Sequence, residues 1–291
     1  MERTEWNTVT QGKLIGFGFA ISLFFGLVLL SEPGFVFIVD HANLLFHEAG
    51  HPIFGLFSQR LETYGVRSPM HVLPTGIPLA QFAAGDGMAF RLRHGIAEDR
   101  PVALFVGRVA HEKNIGFLLD ALAHARQTRA DTLLVIAGEG PAMNDLKAQT
   151  AALGLQDSVI FIGYLDRKQA LPDCYAAADV FVFASRTETQ GLVLIEALAA
   201  GVPVIALSEM GTTDILAPGR GAFSPPADPK AFGETLSHFL NHPAAWRHLY
   251  EEAPRYAREW TDVAMAERLA TLYRQLAGLQ LAPEMPLTAA A

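Results

Sequence analysis

Val102-Ala103-Leu104-Phe105-Val106-Gly107-Arg108-Val109-Ala110-His111-Glu112-Lys113-Asn114, running into Ile115-Gly116-Phe117-Leu118-Leu119, is the stretch on which the fold is read. Its first five residues are apolar without polar alternation, as in a strand buried on both faces. We place the strand at 102–109. The apolar spacing after Asn114 is helical over 115–127. A strand, a glycine loop and a helix in that order are one unit of an open α/β sheet. Ligands of such sheets bind at the carboxyl ends of the strands, where helix N-termini present free amides.

Working outward, the same alternation repeats. Strands are expected at 132–137, 159–163, 180–184 and 203–206, with helices at 142–153, 167–178 and 192–200. This order describes a doubly wound parallel sheet, Rossmann-like, spanning 100–278. Helices at 229–240, 243–259 and 263–276 close it, and an Ala/Pro-rich flexible tail follows at 279–291. Residues 61–99 read as a connecting segment, with a strand and turn at 67–79 and a short helix at 89–95.

The chain has 291 residues and a formal charge of −8, which argues against a nucleic-acid partner. Its single cysteine, Cys174, excludes an internal disulfide and lies in an apolar helical stretch, where it reads as packing in a reducing compartment.

Two clusters carry chemistry. Gly107 lets a phosphate approach the backbone, and Arg108 and Lys113 are within reach of a diphosphate, the first as a fork and the second as a point charge. The alternative is a pair of solvated surface cations. In Ser185-Arg186-Thr187-Glu188-Thr189-Gln190-Gly191-Leu192-Val193-Leu194-Ile195-Glu196, two glutamates lie eight apart, one in a loop and one inside the next helix. Gly191 and the amides of Leu192 and Val193 make an anion site at the helix N-terminus. A carboxylate in that helix suits a ribose diol, although spacing alone serves a solvated loop and helix surface equally well.

Gly107-Arg108-x4-Lys113-Asn114, Gly138-Glu139-Gly140-Pro141, Phe161-Ile162-Gly163-Tyr164, Glu188-x7-Glu196 and Gly201-Val202-Pro203-Val204 occur in that order. Together they resemble the C-terminal, nucleotide-sugar-binding domain of family-four (group 1) retaining glycosyltransferases, which have the two-domain GT-B fold. Thr187-Glu188-Thr189-Gln190-Gly191 is especially similar to members that glycosylate lipids. The resemblance implies that Arg108 and Lys113 neutralise the diphosphate of a UDP-linked sugar, with Glu188 on the donor sugar. It places Glu196 on the ribose, the backbone around Ile162 and Tyr164 on the base, and Gly191, Leu192 and Val193 on phosphate. It implies no metal and no cofactor beyond the nucleotide-sugar donor, with a lipid or carbohydrate acceptor. Relatives carry a further N-terminal Rossmann domain that residues 1–71 do not resemble, so transfer by this chain alone is expected to be poor. Pro78 stands where relatives usually carry an acidic residue.

The head at 1–60 differs in character. Residues 14–30 carry no charge, at the lower limit for a membrane helix. A signal peptide fits less well, because the positive flank is thin and no small-residue cleavage site follows. His47-Glu48-Ala49-Gly50-His51 matches the zinc-protease pattern, in which both histidines ligate and the glutamate activates water. Residues 14–57 resemble the start of a membrane metallopeptidase. With no evident third ligand and Pro52 against the helix, the segment reads as truncated, so His47, His51 and Glu48 are metal candidates without a complete site. The expectation is a membrane-associated chain, fused or truncated near residue 60, with the α/β domain cytoplasmic. The alternatives are a non-catalytic nucleotide-sugar-binding module and a membrane zinc metallopeptidase fragment.

Overall fold

The computed structural model describes residues 73–276. The expected head, with His47, Glu48 and His51, lies outside the described residues, as do residues 61–72 and the tail. Six parallel strands form one sheet: β1 (Val102–Val106), β2 (Leu133–Ala137), β3 (Val159–Gly163), β4 (Val180–Phe183), β5 (Val204–Ala206) and β6 (Ala222–Phe223). Their order is β3-β2-β1-β4-β5-β6. The chain winds outward from β1, returns over it to β4, and winds outward again, which opens a crevice at the carboxyl edge between the two halves. Register runs from Val102 opposite Leu133 to Val106 opposite Ala137, with Leu104 opposite Phe181 on the other side. β1, β2 and β4 are buried along their whole length, which explains their unbroken apolar composition.

The five strands expected from 102 to 206 are present to within a residue at their ends, except for one boundary. β1 ends at Val106 and not at Val109. Gly107 turns the chain out of the ladder at φ 154°, and the Val109 amide donates to the Glu139 carbonyl at 2.9 Å. β6 was not expected, because two residues are too few to show a period.

The short helices α1 (Leu79–Ala83) and α2 (Gly87–Arg93) precede the sheet, so the expected strand and turn give way to helix at Leu79. Ile77 does pair with Thr261 in an isolated parallel bridge. Asp86 caps α2 by accepting from the Ala89 amide at 2.9 Å, which sets its start before the expected 89. Phe82 and Phe90 are buried, and the buried Arg91 guanidinium locks this segment to the sheet. It donates to the carbonyls of Ala177, Ala97, Glu98 and Arg100, and to Asp179, at 2.7–3.1 Å. Asp179 also accepts from the Val102 amide at 2.7 Å, so one ion pair ties α2, β1 and the start of β4 together.

The crossover helices are α3 (Ile115–Ala125), α4 (Met143–Ala152), α5 (Ala170–Ala176) and α6 (Leu192–Ala199), followed by the short α7 (Thr212–Leu216). The closing helices are α8 (Pro229–Asn241), α9 (Arg247–Ala257) and α10 (Asp262–Leu276). α8 begins with an Asp228 cap and proline in its first turn, and Phe232 packs edge-on against Phe117 of α3 at 5.5 Å. α5 starts at 170 and not 167, because the Asp166 carboxylate accepts from the amides of Lys168 and Gln169 at 3.0 and 3.1 Å. That turn leaves residue 167 on a loop at the carboxyl edge. Cys174 is buried, and burial, with Asp173 beside it, pushes its thiol upward.

Candidate functional site

The floor of the carboxyl-edge crevice is glycine backbone. Gly138 has φ 140°, and a Cβ there would lie 1.9 Å from the Gly107 carbonyl oxygen. The loops after β1 and β2 therefore touch backbone to backbone, in a conformation that L side chains rarely adopt. Beyond the first loop Asn114 takes a left-handed conformation at φ 53° and donates from Nδ2 to the Ala184 carbonyl at 3.2 Å. This anchors the residue after Lys113 to the end of β4.

Lys113 consequently meets Glu188, with Nζ 3.0 Å from Oε2, and both side chains are less than one-fifth exposed. The other carboxylate oxygen accepts from the amides of Gly191 at 3.1 Å and Gln190 at 3.4 Å. Burial opposes ionisation of Glu188. The Lys113 ammonium and the two amides outweigh it and hold the carboxyl below the ordinary glutamate range. Gly191, left-handed at φ 65°, turns the chain into α6. Its amide is engaged by Glu188, whereas Leu192 and Val193, in the first turn, have no acceptor within their own helix.

Glu196 sits one turn deeper and is 1% exposed. Its Oε2 accepts from the Tyr175 hydroxyl at 2.8 Å, and its Oε1 pairs with the Arg167 guanidinium. Burial raises its carboxyl above the ordinary value, against the opposing pull of Arg167 and Tyr175. Burial and then the neighbouring Glu196 raise the Tyr175 hydroxyl in turn.

Above Glu196 lies a cavity of about 360 Å³. Five expected site residues line it: Gly107, Arg108, Tyr164, Val193 and Glu196. Ile162 stands nearby in β3, packed against the core, and Tyr164 is largely exposed. Leu192 is half-buried beside Val193. Lys113 and Glu188 form a separate pair at the end of β4 and do not line this cavity. Arg108 is at the rim, ion-paired with Glu112. Burial opposes ionisation of Glu112, and its own backbone amide and Arg108 bring it below the ordinary range. The cavity thus offers a buried carboxylate, the first turn of α6 at Val193, and the cations Arg108 and Arg167, a donor and acceptor set suited to a nucleotide.

Three contributors escaped the sequence reading: Arg167, Tyr175 and Glu139, whose carboxylate lies 3.4 Å from the Tyr164 amide. Pro172 signalled the first. A proline is best tolerated in the first turn of a helix, which favours a start of α5 near 170 and leaves Arg167 at the edge.

The profile of glycosyl transferases group 1 matches residues 89–260. The chain belongs to this family. Among its relatives is an alpha-monoglucosyldiacylglycerol synthase of Streptococcus pneumoniae, 41% identical over 151 residues, which are 50% of this chain and 34% of the relative. A mannosylfructose-phosphate synthase of Agrobacterium fabrum is 32% identical over 218 residues, 70% of this chain and 48% of that protein. The chain therefore spans about half, or less, of the length of these glycosyltransferase relatives. Sucrose-phosphate synthase from Thermosynechococcus elongatus superimposes with a TM-score of 0.64 at 26% identity, over 76% of this chain and 56% of that one. Anabaena HepE in complex with UDP and glucose, at 22% identity, shares the fold with a TM-score of 0.62 over 72% of this chain and 57% of its own. These likenesses make the α/β domain one Rossmann-like unit of the GT-B type. Nothing in the comparisons shows the metallopeptidase resemblance of the head. Among the described residues, no helix is long and apolar enough to cross a membrane, and no group of three His, Cys, Asp or Glu side chains is placed to hold a metal ion.

Proposed function

We propose that this domain is the donor half of a retaining glycosyltransferase and binds a UDP-linked sugar in the cavity above Glu196. The observation that carries the reading is the meeting, in one cavity, of the buried Glu196 carboxylate with Val193 from the first turn of the same helix and with the glycine loops at Gly107 and Gly138. Glu196 takes the ribose diol, the Leu192 and Val193 amides take phosphate, and the strand end at Ile162 and Tyr164 faces the uracil. Glu188, held by Lys113, faces the donor sugar. Transfer breaks the bond between the anomeric carbon and the phosphate oxygen, the acceptor hydroxyl oxygen bonds to that carbon on the same face, and its proton passes to the departing phosphate. We assign Arg108 and Lys113 to the charge that departs on UDP. No metal or further cofactor enters this scheme.

The acceptor we propose is a lipid, in keeping with the glucosyldiacylglycerol that the pneumococcal relative's name gives as its product and with the apolar composition of residues 14–57. The domain would then work at the cytoplasmic face of a membrane. Aligning acceptor hydroxyl, anomeric carbon and leaving phosphate supplies several kcal/mol of barrier reduction, and in two-domain GT-B enzymes the facing domain provides that alignment. Transfer by the donor half alone should be slow. The test is to incubate the full chain with radiolabelled UDP-sugars in detergent and in liposomes, and to follow label into lipid. Label transfer lost in Glu188→Ala supports the reading. Transfer that persists undiminished in Glu188→Ala removes the site assignment.

A further inference from the structure

Arg167 lies outside every motif by which the family is recognised in this chain, yet it makes an ion pair with the most buried acid of the site. Its side chain is 59% exposed, so folding does not require it to reach inward. It is held there from a separate element. The guanidinium lies over the ring of the buried Phe82 at 5.7 Å, and its backbone carbonyl accepts from the Gln81 side chain, both on α1. The turn made by Asp166 keeps it out of α5.

A carboxylate has about four lone-pair positions. Arg167 uses one on Oε1 of Glu196 and Tyr175 uses one on Oε2, which leaves one on each oxygen of a side chain that lines the cavity. That is the acceptor pattern of a vicinal diol. We propose that Arg167 is a positioning residue for nucleotide recognition, whose guanidinium aims the Glu196 carboxylate and keeps it charged so that both ribose hydroxyls find an acceptor. The proposal rests on the assignment of Glu196 to ribose.

Electrostatics supports the geometry. Burial works against a charged Glu196, and Arg167 is the cation in contact with it. The other ionisable groups are Tyr175, which touches Glu196 from within the core on α5, and Arg108, Glu139 and Tyr164, which line the cavity. Of these, Arg108 is already ion-paired with Glu112. Without Arg167 the carboxyl would hold its proton to higher pH, and a protonated oxygen offers a ribose hydroxyl fewer acceptor positions.

The experiment is calorimetric titration of the full chain with UDP from about pH 5.5 to about pH 8.5, for wild type, Arg167→Gln, Arg167→Lys and Glu196→Ala. The readout is the ratio of mutant to wild-type Kd at each pH, in which ionisation of the UDP phosphates cancels. For Arg167→Gln the ratio should stay above one at the alkaline end, where only the aiming is lost, and grow by about a further tenfold toward the acid end, tracking protonation of one carboxyl. Arg167→Lys, which keeps the charge, should follow wild type. A ratio independent of pH means a purely structural role. A ratio that grows with pH means direct contact with the phosphates, whose second ionisation lies near 6. Tighter binding by Arg167→Gln means that the arginine competes with ribose. Each of these three results overturns the proposal. Absence of UDP binding, or wild-type affinity in Glu196→Ala, instead defeats the ribose assignment and the present proposal with it.

Discussion

Replacing Glu196 with alanine isolates the ribose contact from everything else in the site. The carboxylate is 1% exposed, and its two oxygens already serve Arg167 and Tyr175. A hydrogen bond to a charged group contributes about 1.5–3 kcal/mol. Removing the 2′-hydroxyl from the ligand deletes one such bond, so wild-type protein should prefer UDP over 2′-deoxy-UDP by about tenfold to 150-fold. In Glu196→Ala neither ligand has the acceptor, and the preference should collapse to within about twofold. UDP itself should bind more weakly by about 1–3 kcal/mol, since the vacated volume admits water. Calorimetry with both nucleotides on both proteins closes the thermodynamic cycle. Undiminished discrimination in Glu196→Ala would refute the reasoning, because another group would then be reading the ribose.

Glu196→Gln tests the cost of keeping that acid buried. Its folded value is raised, so native stability declines as pH rises from the ordinary glutamate value through the raised one. The glutamine variant keeps an acceptor for Tyr175, lacks that decline, and should match or exceed wild type by about 1–2 kcal/mol at neutral pH in urea denaturation; a clear loss of stability there would count against it. Glu188 runs the other way. Its depressed value means a contribution fully present above the ordinary glutamate value and lost as pH falls through the folded one, so Glu188→Gln should flatten part of the acid-side fall in thermal stability. Lys113→Ala leaves that carboxylate mostly buried beside its two amides, and should cost about 2–4 kcal/mol by chemical denaturation; a cost near zero would show that the pair is solvated. Gly138→Ala places a carbon 1.9 Å from a carbonyl oxygen at a φ of 140° and should cost about 3 kcal/mol, with nucleotide binding lost together with the loop contact. Wild-type stability in that variant would contradict the close approach of the two loops.

The sheet was legible because its strands are buried on both faces and announce themselves as apolar runs, and the helix periods between them fix the winding. Ends were less legible. Val109 looks like strand until Gly107 is seen to turn the chain toward Glu139, a tertiary contact with no local signature. The two-residue β6 and the five-residue α1 and α7 are shorter than any period that could betray them. In the site, Gly107, Arg108, Tyr164, Val193 and Glu196 were found from motif order and do share one cavity. The partnership of Lys113 with Glu188 joins residues 75 positions apart and could not be read from either motif alone. Arg167 was hidden for a different reason. Apolar spacing assigned it to a helix, and only Asp166 and Pro172 together mark the turn that frees it.

The most direct test of the donor-site assignment is a crystal structure of the full chain with UDP. The account expects the ribose hydroxyls on the Glu196 carboxylate, phosphate oxygens on the Leu192 and Val193 amides, and uracil at the end of β3 beside Tyr164. UDP bound away from Glu196, for example in the groove lined by His124 and His238 between α3 and α8, would contradict it.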